Sequence, residues 1–324
     1  MRFLLFFVAV LIPSMGFGQT AKSGKGVDRK TLVGQKIPGY THKKIEGFDC
    51  LVHEEVLKNN DDSKWERSPL DVLELELGTV SRVLPKKVEN VLHSVVVWIE
   101  WHDTQDRDIQ TSVAKYYGVS GGSRLGWSLA EKKHPGKANN VEVISMKSLT
   151  EEHQPKQKFD RCVLLHEFAH AIHFHIVGPN NPIVGQTYAK AMQRGLYDSA
   201  RDVNDRVIRP YARTSEQEYF AELTCNYLNK LHYFPFTRDE LKKHDADGYS
   251  MMEKTWGKPE TIEKQIRQEN ELAAGIKLNA ARKLLAEKKL ADAKATLTKI
   301  MDWFPKSAAA KDAAKLLEKT NEGK

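Results

Sequence analysis

The stretch from Cys162 to Phe174, CVLLHEFAHAIHF, constrains this chain more than any other. Apart from His166, Glu167, His170 and His173 every residue in it is apolar, the composition of a helix buried in a core. Unpartnered imidazoles and a carboxylate are costly there. His166 and His170 are four apart, so on a helix they share a face one turn apart and aim ring nitrogens at one cation, with Glu167 beside it. One zinc ion satisfies all three: in H-E-x-x-H chemistry the two histidines hold the metal and the glutamate takes a proton from the water it activates. The plainer alternative is a core helix whose histidines find separate partners, and a third ligand elsewhere in the chain decides between them.

The rest of the chain frames that helix. Met1-Arg2, an apolar run to Phe17 broken by Pro13 and Ser14, and small residues around Gly18 read as a signal peptide over 1–18. The run is too short for a spanning helix, so a secreted, periplasmic or cell-envelope protein without stable membrane insertion is expected. Residues 19–44 are Lys/Gly-rich and read as a basic flexible linker. The 324 residues carry a net charge of +7 on scattered lysines, without the Arg/Lys block and interleaved aromatics of a nucleic-acid module, so no nucleic-acid partner is expected.

From Ile45 short strands and helices alternate. Gly47–His53 and Ser94–Trp101 read as strands, and Leu70–Leu84 shows apolar residues at helical spacing closed by Pro85. Residues 116–126 read as a loop. Asn140–Met146 reads as a further strand, either interior or the sheet edge along which a peptide substrate lies. These elements make 45–262 an α+β catalytic domain.

A second informative stretch runs from Tyr211 to Leu228, YARTSEQEYFAELTCNYL. Thr214 or Ser215 is a helix N-cap, with Gln217 or Glu218 three residues on. Thr214 with Gln217 makes a complete capping box and leaves Glu218 and Glu222, one turn apart on an otherwise apolar helix, in want of a cation or a histidine.

Together, His166-Glu167-Phe168-Ala169-His170 and Tyr211-Ala212-Arg213-Thr214-Ser215-Glu216-Gln217-Glu218-Tyr219-Phe220-Ala221-Glu222 resemble the catalytic domain of the anthrax toxin lethal-factor-like metallopeptidases, a branch of the gluzincins, over about residues 158–230. That resemblance implies a zincin-like fold and one zinc ion held by His166, His170 and Glu218. It also implies Glu167 as general base, Tyr211 as oxyanion or leaving-group donor, and Glu222 as the residue that holds His166. Ala169 and Ala212 stand where the family has glycine, and Tyr219 where it has phenylalanine. His173 lacks the surroundings of a third histidine ligand, since Ile176 stands where the metzincin pattern needs one, and reads as a support or as the cleft rim. Three cysteines are too few for a disulfide scaffold. If Glu222 touches His166, Cys162 and Cys225 come near enough for one bridge.

Residues 263–324 turn Ala/Lys/Leu-rich and resemble one tetratricopeptide repeat with a capping helix, a short tail that packs on the catalytic domain or offers a groove to a protein partner. The expected function is a zinc endopeptidase with a protein or peptide substrate. The rival is a non-catalytic zinc-containing envelope protein that binds through its helical tail.

Overall fold

The computed structural model describes residues 29–102, 113–118, 133–154 and 161–322. The expected signal peptide and most of the 116–126 loop lie outside these.

A five-stranded mixed sheet organises the domain. The strands are β1 Tyr40–Ile45, β2 Phe48–His53, β3 Val96–Ile99, β4 Ala114–Tyr116 and β5 Val141–Val143, in the order β1-β2-β3-β5-β4. β2, β3 and β5 run parallel, and β1 and β4 lie antiparallel at the two edges. Ile45 pairs with Phe48 across a two-residue turn whose residues, Glu46 and Gly47, both have left-handed backbone (φ 48° and 88°). That conformation matches the twist of a tight hairpin and favours glycine at the second position. The parallel strands are buried on both faces, as parallel strands generally are. Phe48, Cys50, Val52, Val97 and Ile99 enter the main core, while Leu51, Val96 and Trp98 pack with Leu32 on the opposite side.

Of the two readings open for Asn140–Met146 the structure takes the interior one: β5 is paired on both sides, and the edge strand beside the metal-motif helix is β4. Glu142 in the middle of β5 is fully buried and is answered by Lys137 Nζ at 2.6 Å, Lys133 Nζ at 3.1 Å and the Tyr117 hydroxyl. The expected linker to residue 44 needs correction where described: Arg29–Gly34 forms helix α1 and Tyr40 begins β1. Leu32 and Tyr40 pack under the sheet while the lysines face outward, and it was the lysines that set the composition.

The helices that follow α1 are α2 Glu54–Asn59, α3 Pro69–Val83, α4 Glu89–Leu92, α5 Met146–Glu152, α6 Val163–Ile172, α7 Pro182–Gln193, α8 Glu216–Tyr227, α9 Arg238–His244, α10 Ala246–Trp256, α11 Pro259–Ala286, α12 Leu290–Trp303 and α13 Ala308–Glu322. α3 starts at Ser68, which accepts from Asp71 N, and stops before Pro85, close to the limits its periodicity predicts. α6 carries the H-E-x-x-H motif, continues into a π-helical turn at His173–Val177 and ends at Gly178 (φ 95°).

The expected boundary at 262/263 falls inside α11, which starts with Pro259 in the first turn. Ile262 belongs to the main core, and Ala274, Leu278 and Ala281 to a second cluster shared with α12 and α13. That cluster is tied to α3: Lys299 Nζ lies 2.5 Å from Asp71 and 3.2 Å from Glu74, Lys277 reaches Glu46 and Glu74, and Arg67 pairs with Asp302 at 2.6 Å. Among the described residues no helix is long and apolar enough to cross a membrane. The chain is therefore mixed α and β: a sheet domain with a helical C-terminal region.

Candidate metal centre

α6 and α8 lie side by side and supply the converging groups. His166 Nε2 is 3.0 Å from His170 Nε2 and 3.0 Å from Glu218 Oε2, and His170 Nε2 is 3.2 Å from that same oxygen. Ligand atoms on a tetrahedral zinc, at about 2.0–2.1 Å from the ion, lie about 3.3 Å apart. The three atoms are therefore spaced to share one such ion. Among the described residues His166, His170 and Glu218 are the group placed to hold a metal.

The surroundings fix the tautomer of His166. Glu222 Oε1 sits 2.7 Å from His166 Nδ1, so Nδ1–H donates to the carboxylate and Nε2 is the atom left to ligate. Burial disfavours charge on His166, but the Cys225 thiol, Glu218 and Glu222 outweigh it and hold its pKa well above the usual imidazole value, so a metal ion displaces the proton from Nε2 when it binds. Glu218 shows the complement. Burial raises its pKa, yet the two imidazoles, His170 first, bring the carboxyl well below the ordinary range. A cation here meets an ionised carboxylate.

The local reason for Glu218 differs from the predicted one. Ser215, not Thr214, is the N-cap, and its hydroxyl accepts from Glu218 N at 3.2 Å. Glu218 occupies the position of a capping-box partner, but its side chain points across to α6.

Glu167 faces the cleft, and its Oε2 accepts from Tyr116 N of β4 at 2.8 Å. The edge strand thus meets this carboxylate directly. Tyr211 opens a 3₁₀ turn after Pro210, is 50% exposed, and holds its ring centroid 5.9 Å from that of His166. Burial and the Glu218 charge push its hydroxyl up to about 12, so it is protonated at neutral pH and available as a donor.

His173 does not reach the cleft. It is fully buried and stacks on Phe220 (centroids 4.5 Å, planes 23° apart), and neither ring nitrogen has a hydrogen-bond partner among the described residues. Burial first, then His170, lowers its pKa to about 4 and keeps it neutral. The cysteines are free and buried. Cys162 Sγ faces Glu76 Oε2 at 3.2 Å and Cys225 sits beside His166, so the two thiols serve different partners and the Cys162–Cys225 bridge is absent.

Sequence reading missed two supports. Glu76 on α3 is 1% exposed, accepts from Leu164 N at 2.7 Å and pairs with His153 Nε2 at 2.6 Å. It supplies the anion at the start of α6, whose own N-cap, Cys162, gives no side-chain bond. A carboxylate on the apolar stripe Val72, Leu73, Leu77 and Val80 was its signal. The second support answers the Tyr219 departure: the hydroxyl that phenylalanine lacks bonds Asp245 Oδ2 at 2.5 Å, and Tyr197 bonds the same oxygen at 3.1 Å.

Residues 126–256 match the family model described as glucose-regulated metallo-peptidase M90. This span is a metallopeptidase domain. It contains both α6 and α8, so the matched region is the one that builds the metal centre. A metallopeptidase is a hydrolase of peptide bonds, acts on a protein or peptide, and uses a divalent metal, commonly zinc. No curated protein and no solved structure matches the chain.

Proposed function

We propose that the chain is an exported, zinc-dependent endopeptidase of the gluzincin type, with His166, His170 and Glu218 as ligands. The convergence of those three donor atoms beside the Glu167 carboxylate carries the reading. Zinc held there supplies a Lewis acid and lowers the pKa of water to about 7. Glu167 accepts the proton of the attacking water and returns it to the leaving amine. The protonated Tyr211 hydroxyl donates where negative charge develops, and Glu222 keeps His166 in the ligating tautomer. Substrate backbone lies along the edge of the sheet that β4 forms beside Glu167. Export rests on the apolar N-terminal run, and the likeness of the tail to a tetratricopeptide unit rests on its pattern of small residues.

The test pairs the purified chain with Glu167→Gln on an unstructured protein substrate. The parent should cleave and stop with chelator, while the variant keeps its zinc and loses about 10²–10⁴-fold in rate. Equal cleavage by both, or zinc in both with cleavage by neither, refutes the proposal and in the second case favours a zinc-containing binding protein.

A further inference from the structure

The cleft does not end at the metal ligands. From His166 and Glu167 a cavity of 440 Å³ extends beside the start of α6. Val113 and Ala114 of the edge-strand segment, Val163, Ile208 and Tyr211 contribute to its walls, and it also reaches Glu152, Arg161, Arg209 and His232.

Its charges are uneven. Three carboxylates line it, and each is already engaged: Glu222 with His166 Nδ1, Glu167 with Tyr116 N, and Glu152 with Arg161 Nη1 at 3.2 Å. Arg209 is exposed and has no carboxylate partner among the described residues. The Arg161 charge is felt inside the protein, where it adds to the burial that lowers the proton affinity of His232. His232 is held neutral, its pKa lowered to about 4 by burial first and then by Arg161, so it does not answer a further charge. Among the described residues one guanidinium has a single carboxylate contact and the other has none, and both border a pocket with aliphatic walls. A side chain that completes this site has a short apolar stem and an anionic tip. A basic side chain meets like charge, and a wholly apolar one desolvates Arg161 without replacing its water.

We infer that this pocket selects substrates with an acidic residue next to the scissile bond, the carboxylate being taken by Arg161 and Arg209. The inference rests on the peptidase reading and adds the substrate class.

The test uses end-blocked peptides that differ only by Glu, Gln, Lys or Leu at each position flanking one bond, with kcat/KM followed by mass spectrometry. At one flanking position the parent chain should favour Glu over Gln by about tenfold or more and cleave Lys least. Arg209→Glu should reverse the order of Glu and Lys, and Arg161→Ala should shrink the Glu/Gln ratio. Because the Glu/Gln comparison is made within the parent, it stands even where a variant folds poorly. Equal rates for Glu and Gln in the parent overturn the inference and leave the peptidase reading intact. So does cleavage confined to a parallel set with free C-terminal carboxylates, which assigns the arginines to the chain end. Cleavage of no peptide in either set overturns the peptidase reading itself.

Discussion

Glu222 is the group whose removal reads most directly on how this site is tuned. It is buried, and its Oε1 lies 2.7 Å from His166 Nδ1, the ring atom that must stay protonated if Nε2 is to ligate. Groups that orient a metal-bound histidine are typically worth 10- to 100-fold in metal affinity, or about 1.4–2.7 kcal/mol. Glu222→Gln leaves an oxygen to accept the Nδ1 proton and removes only the charge, so it belongs near the tenfold end. Glu222→Ala removes the acceptor as well and leaves a buried N–H unpaired, which adds about 1–3 kcal/mol of destabilisation. The assay is competition with a chromogenic chelator at fixed pH, together with denaturant unfolding of the metal-free protein. The ordering parent, then Gln, then Ala should hold for zinc affinity, with a clear stability loss only for Ala. Unchanged zinc affinity in both variants would refute the orienting role and the tautomer argument with it.

Other predictions concern the supports of α6 and α8. The Glu76–His153 pair sets a pH window. Burial opposes charge on both, but Glu76 is lowered from 4.5 chiefly by His153, and His153 is raised from 6.5 chiefly by Glu76. The Glu76 contribution is present above 4.5 and lost as pH falls through its lowered value, and that of His153 is present below 6.5 and lost as pH rises through its raised value. The pair therefore stabilises fully between about 4.5 and 6.5. Glu76→Gln should cost about 3 kcal/mol in urea unfolding inside that window and less on either side, while a flat pH difference excludes the pair as its source. His173→Leu should leave stability equal or improved and zinc content unchanged, since both buried ring nitrogens lack partners among the described residues; loss of zinc in that variant would restore it to the site.

What could be read from the sequence was what local spacing encodes. The two histidines and Glu167 on α6, and the Glu218/Glu222 pair on α8, follow from helical periodicity against an apolar background, and the structure brings all of them together. Contacts remote in sequence left weaker marks. β4 is three residues, Ala-Lys-Tyr, too short to alternate, whereas β5, also three residues, lies in the apolar run Asn140–Met146 and so was the strand weighed as interior or edge. Glu76 meets Leu164 from 88 positions away, and only its misfit on an apolar stripe hinted at a partner. Tyr219 was visible as a departure from the family pattern, but its reason, Asp245, stands on another helix start. The cysteines were placed near the site by helical spacing, yet spacing along two helices says nothing of which way each thiol turns.

The central claim is that His166, His170 and Glu218 close on one metal ion. Elemental analysis of the purified chain, beside His170→Ala and Glu218→Ala shown by circular dichroism to be folded, tests it most directly. The account predicts one zinc per parent chain, and loss or strong weakening of zinc in each variant after mild chelation. A metal-free parent that stays so when zinc is supplied, or a Glu218→Ala variant that holds zinc as tightly as the parent, contradicts it.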